Sequence, residues 1–97
     1  MKIQEIKDKL NLVPKTTPQI SDLRGSYINI IVNSENDNNI GFSIVLTNDG
    51  LVISKFMREP YRSYNIMTGY EKLTIKQRDY IRKYLIETYL PQFEYLL

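Results

Sequence analysis

The 97-residue chain contains no cysteine, no histidine, no tryptophan and no alanine. Without cysteine there can be no disulfide, no thiolate metal site and no thiol nucleophile, a composition that suits a reducing compartment. The missing histidine excludes more. It removes the commonest general base near neutral pH and the commonest transition-metal ligand, so triads built on His or Cys are impossible. Glycine is sparse: Gly25, Gly41, Gly50 and Gly69 stand at spacings that fit neither phosphate-binding fingerprint. Absent alanine, beside abundant Ile, Asn, Lys and Tyr, is the mark of an AT-rich coding sequence. Long apolar runs are lacking as well. The longest aliphatic stretches, such as Leu51-Val52-Ile53, are far short of the ~20 residues a membrane span needs. The opening Met1-Lys2-Ile3-Gln4-Glu5-Ile6-Lys7-Asp8-Lys9 alternates charge with apolar residues, unlike a secretory signal, so a cytoplasmic location is expected.

What is present points to a chain that folds. Hydrophobic residues at 42% and charged residues at 25% are near globular averages, and the length is that of one domain spanning residues 1–97. Ile3, Ile6, Leu10 and Val13 recur at helical spacing, which predicts a short amphipathic helix over about 2–12, ended by Pro14. Residues 14–26, rich in Pro, Thr, Ser and Asp, read as a loop. Three strands are expected next: Tyr27–Asn33, Ile40–Thr47 and Leu51–Arg58, with Ser34–Asn39 as a polar turn. Asn48-Asp49-Gly50 signals a tight hairpin. A three-residue loop would set Lys55 opposite Ser43, away from the apolar face of Ile40, Phe42, Ile44 and Leu46, and the cost of burying a lysine favours that register.

Residues 59–73 read as an irregular connection. Thr74-Ile75-Lys76-Gln77 fits a capping box for a helix from Ile75 to about Leu90. Its expected inner face is Gln77, Ile81, Tyr84, Leu85 and Thr88, with Lys76, Asp79, Lys83 and Glu87 opposite. The fold class is therefore α+β, in the order α-β-β-β-α. A three-stranded antiparallel meander is packed by a long C-terminal helix and a short N-terminal one.

No residue set announces catalysis. Glu5-Ile6-Lys7 has a spacing found in some metal-dependent nucleases, but it lies on a helix without an acidic partner and reads as a solvated face. Asp37-Asn38-Asn39 and Asn48-Asp49-Gly50 lack the closing glutamate of a calcium loop and read as turns. No cofactor and no metal are expected. Charge is distributed more informatively. Residues 55–83 hold Lys55, Arg58, Arg62, Lys72, Lys76, Arg78, Arg82 and Lys83 against Glu59, Glu71 and Asp79, a local excess of five positive charges in a chain of net +2. Tyr61, Tyr64, Tyr70 and Tyr80 are interleaved with them.

Arg58, Tyr61, Arg62, Tyr64, Tyr70, Lys72, Arg78, Arg82 and Lys83 are accordingly the candidate binding residues. Tyr and Arg are enriched at protein–protein hot spots, and cations beside flat rings also suit nucleic acid. The apolar tail ending in Phe93, Tyr95, Leu96 and Leu97 either docks on the core or pairs two copies into a homodimer. The expectation is a small non-enzymatic interaction module that binds a protein partner, with DNA or RNA binding through 55–83 as the alternative. In size, AT-rich composition and lack of catalytic groups it resembles the accessory proteins of phages and mobile elements.

Overall fold

A computed structural model describes residues 3–15, 19–24, 27–33, 40–57, 62–65 and 71–96, of which 19–24, 62–65 and 96 through their backbone. The elements are α1 (Ile3–Leu10), β1 (Gln19–Arg24), β2 (Tyr27–Asn33), β3 (Ile40–Leu46), β4 (Gly50–Met57), β5 (Arg62–Asn65), β6 (Glu71–Lys72), α2 (Ile75–Tyr89) and a closing 3-10 segment, Pro91–Leu96. The fold is α+β, and its centre is the expected meander, β2-β3-β4, paired antiparallel throughout.

The sheet is wider than the sequence pattern indicates. Its order is β1-β2-β3-β4-β5, with β6 also on β4. The stretch 14–26 is thus not all loop. Ile20 and Leu23 stand three residues apart, which breaks strand alternation. A register shift between Ile20 and Asp22 nevertheless pairs them with Ile30 and Ile28, both core residues. The connection 59–73 likewise contains β5 and β6, short pieces paired with opposite ends of β4.

Strand alternation sorts β2, β3 and β4 into two faces. One face carries Ile28, Ile30, Val32, Phe42, Ile44, Leu46, Leu51 and Ile53, all buried. Both helices cover it: Ile6 and Leu10 from α1, and Ile81, Leu85, Ile86 and Tyr89 from α2, join the same cluster, together with Val13, Leu73 and Leu90. The other face carries Tyr27, Asn29, Ile31 and Asn33 from β2, Gly41, Ser43 and Val45 from β3, and Val52, Ser54 and Phe56 from β4. Apart from the buried Gly41, these are half-buried, and none of them is charged.

The hairpin register differs from the expectation. Leu46 pairs with Leu51 and Phe42 with Lys55, so Thr47–Gly50 form a four-residue loop and Lys55 shares a face with Ile44 and Ile53. The physical reason is that Lys55 lies at the rim of that face. Its stem covers apolar surface while its Nζ stands 5.8 Å from the centre of the Phe42 ring, half-buried. Leu51 and Ile53 meanwhile reach full burial.

The capping box of α2 is formed as read. The Gln77 amide donates to Thr74 Oγ1 (3.2 Å), and the Thr74 amide donates to Gln77 Oε1 (3.0 Å). The buried face of α2 is rotated from the expected one, to Arg78, Ile81, Leu85, Ile86 and Tyr89. Two polar-tipped residues cause the shift. Tyr89 is 2% exposed, and its hydroxyl reaches the carbonyls of Leu10 (3.0 Å) and Val13 (3.2 Å) at the end of α1. Arg78 is 8% exposed, and its Nε donates to the Thr47 carbonyl (2.9 Å), tying α2 to the β3–β4 loop. The Leu73 amide holds the same loop through the Asp49 carbonyl (2.8 Å). Among the described residues no helix is long and apolar enough to cross a membrane.

Candidate functional site

The groups the helices leave outside the core converge on one shallow depression. On α1, Ile6 and Leu10 enter the core, which turns Lys7 and Asn11 outward along one edge. On α2, Ile81 and Leu85 enter the core, leaving Tyr80 and Tyr84 one turn apart beside Lys83 and Glu87. The edges meet where Lys7 Nζ lies 5.9 Å from the centre of the Tyr80 ring and 5.5 Å from that of Tyr84. One ammonium therefore faces two rings, an arrangement worth about 0.5–1 kcal/mol at an accessible site. Tyr84 Oη donates to Asn11 Oδ1 at 3.1 Å, which fixes the inner ring. Tyr80 is 44% exposed and free to meet a partner. Lys83 Nζ and Glu87 Oε1 are 3.9 Å apart, a solvent-exposed pair worth little by itself.

Tyr80, Lys83, Tyr84 and Glu87 line a hollow of about 190 Å³. That is below the roughly 300–1,000 Å³ of pockets that enclose a small molecule. It is a dimple that takes a side chain or a small planar group, with cations at its edge and an aromatic wall. Among the described residues no three acidic side chains cluster as a metal site would need.

Among the described residues, the sequence-derived candidates Lys72, Arg78, Arg82 and Lys83 do not form one surface. Arg78 is committed to Thr47 and to the core, so it belongs to no exposed basic surface. Burial of its stem is the reason, and its guanidinium also contacts Asp79 Oδ1 at 3.4 Å. Lys83 is exposed on the dimple's edge. Lys72 is exposed on β6, at the sheet edge, and Arg82 is half-buried and engaged. Arg62 and Tyr64 sit in β5 at register positions opposite Met57 and Lys55. Arg58, Tyr61, Tyr70 and Leu97 lie outside the described residues, as does the Ser34–Asn39 turn.

The tail docks in part. Phe93 packs against the core cluster and its amide donates to the Leu90 carbonyl (2.8 Å), while Tyr95 remains 76% exposed with its ring 6.0 Å from that of Phe93. Leu96 closes the 3-10 segment. Sequence reasoning missed Lys7 and Asn11. Their i, i+4 spacing beside Ile6 and Leu10 was the available signal, but only the packing of α1 on α2 shows what they meet. No protein-family model, no curated protein and no solved structure matches this chain.

Proposed function

We propose that this protein is a non-enzymatic binding module that engages a protein partner through the shallow groove that Tyr80, Lys83, Tyr84 and Glu87 line on α2, beside Lys7 of α1. The observation that carries the reading is the Tyr80–Lys7–Tyr84 stack beside a dimple of side-chain size. Tyrosines held by packing lose little entropy on binding, and a fixed aromatic wall is the usual anchor of a protein interface. Lys7 and Lys83 favour an acidic or carbonyl-rich segment of the partner, and Glu87 restricts where its charge can sit. Occupying a partner's surface in this way makes the module an inhibitor or an adaptor, in a cytoplasmic setting that suits its lack of cysteine.

The test is affinity capture from native-host lysate with the full chain, run beside the variant Tyr80→Ala/Lys83→Glu. Both residues lie outside the core, so the variant keeps its fold. The expected result is a protein recovered stoichiometrically by the wild type and lost from the variant. Recovery that the variant leaves unchanged removes the groove from the interface. A parallel titration with labelled DNA and RNA at roughly 50 and 200 mM salt covers the alternative. Affinity falling ~10³-fold or more over that range, with no protein captured, would replace the reading with nucleic-acid binding.

A further inference from the structure

Where α1 borders the groove, the hydrogen-bonding capacity left over on its side chains is donor. Lys7 is half-buried with its ammonium over the rings of Tyr80 and Tyr84, and among the described residues it has no carboxylate partner. Ring faces attract the charge without serving as strong acceptors for its three N–H groups. Asn11 is exposed, and its Oδ1 already accepts from Tyr84 Oη at 3.1 Å, which leaves the two N–H donors of its amide. The Asn11 backbone amide donates to the Lys7 carbonyl at 2.9 Å, so helical spacing continues past Leu10. Lys7 and Asn11 therefore stand one turn apart, with about 5–6 Å between their Cβ atoms. Both are held by the tyrosines of α2, so little side-chain freedom remains to be lost on binding.

We infer that Lys7 and Asn11 together recognise a single acidic side chain, Asp or Glu, of the protein partner; the inference rests on the groove being the partner site. One carboxylate offers two oxygens, enough to accept from Lys7 Nζ and from the Asn11 amide at once. A bond from an ammonium to a carboxylate is about twice as strong as a neutral one. Tyr80, 44% exposed, is the platform for an apolar residue beside that acid. Lys83 already has a counter-ion in Glu87 at 3.9 Å, so the discriminating cation is Lys7.

The surroundings limit how much negative charge is welcome. Asp8, next to Lys7 on α1, and Glu87 on α2 are both exposed. A nucleic-acid backbone carries a charge at every phosphate and would set some of them against these carboxylates. An isolated acid in an otherwise neutral segment avoids both.

The experiment pans a library of random linear peptides on the immobilised full chain and counter-selects on Tyr80→Ala/Lys83→Glu. Groove-dependent peptides are synthesised with their acid and with the matching amide, Gln for Glu or Asn for Asp. Each pair is titrated by fluorescence anisotropy on wild type, Lys7→Met, Asn11→Asp and Lys83→Gln. The expected peptides share one Asp or Glu beside an aliphatic or aromatic residue. Amide replacement weakens wild-type binding on the order of tenfold. Lys7→Met erases most of that difference, Asn11→Asp erases or inverts it, and Lys83→Gln retains it. Asn11→Asp keeps the acceptor for Tyr84 while removing the donor, so it decides the matter even if Lys7→Met fails to fold.

Groove-dependent peptides that share no acid, or bind equally well as amides, overturn the inference and leave the groove as the partner site. So do peptides with runs of acids whose affinity falls steeply between roughly 50 and 200 mM salt, which would assign a polyanion. A selection that yields no groove-dependent peptide overturns the partner site itself, and this inference with it.

Discussion

Tyr89→Phe is the substitution with the most informative consequence, because one oxygen links the two helices and also titrates. The Tyr89 hydroxyl is buried with Leu10 O at 3.0 Å and Val13 O at 3.2 Å. Leu10 O keeps a second donor, the Val13 amide at 3.0 Å. Removal of the hydroxyl therefore costs about 1–2 kcal/mol, one net hydrogen bond plus part of the desolvation of Val13 O. In a domain of this length that lowers Tm by about 5–15 °C near neutral pH.

Burial also pushes the Tyr89 phenol up from 10.0 to about 12, with the neighbouring Tyr84 adding to the shift. Below pH ~10 the folded and unfolded states both hold this proton, so Tyr89 contributes no pH dependence. Between ~10 and ~12 the unfolded state releases it and the folded state does not, so wild-type stability falls by about 1.4 kcal/mol per pH unit, roughly 2–3 kcal/mol in all. Tyr89→Phe lacks this loss. Urea unfolding followed by far-UV circular dichroism should thus show the variant weaker at pH 8, level with the wild type near pH ~11, and stronger above it. Titrating groups remote from Tyr89 are common to both proteins and cancel in the difference. A gap that stays constant from pH 8 to 12 would refute the assignment of a buried, proton-holding Tyr89.

Two further substitutions probe the frame. Arg78→Met keeps the packed stem but leaves the Thr47 carbonyl without its guanidinium donor. The expected loss is about 1–3 kcal/mol, with faster hydrogen exchange at the Thr47 and Leu73 amides that close the same loop; unchanged exchange would show that Arg78 is not its anchor. Gly41→Ala places a methyl group against the Phe56 ring. It should cost about 1–2 kcal/mol by urea unfolding, and less in a Phe56→Leu background. An additive double-mutant cycle would mean the ring does not lie on Gly41.

Local signals in the sequence carry the parts of this fold that short-range physics decides. The α1 stripe, the β2 and β3 strands and the Thr74–Gln77 box each depend on residues a few positions apart and form where the pattern puts them, whereas β4 forms with its faces exchanged. What escapes is decided by distant partners. β1 is hidden because its bulge puts Ile20 and Leu23 out of alternation, and only pairing with β2 brings them into phase. The α2 face is misjudged at Arg78 and Tyr89, whose polar tips find acceptors from the Thr47 and α1 backbones. Lys7 looks like any solvated lysine until α2 supplies two rings. The basic excess in 55–83 is real as composition, yet its members divide between a strut, a sheet edge and a groove wall, so charge counting alone overstates it as a surface.

The register of the β3–β4 hairpin connects these levels, because a side-chain period of two means that a one-residue slip exchanges the two faces of β4. One choice buries Leu51 and Ile53 and carries Lys55 along; the other buries Val52, Ser54 and Phe56. Leu and Ile each gain about 1.5–3 kcal/mol on full burial, whereas the second choice would bury the Ser54 hydroxyl in an apolar layer. Lys55 costs little in the first, since at the rim it keeps its ammonium accessible over Phe42. Two aliphatics therefore outweigh one lysine. The same slip would have moved Lys55 to the far face and Val52 and Phe56 to the core. The choice that buries two aliphatics therefore also decides which β4 side chains face away from the helices, namely Val52, Ser54 and Phe56, with Lys55 at the rim of the covered side.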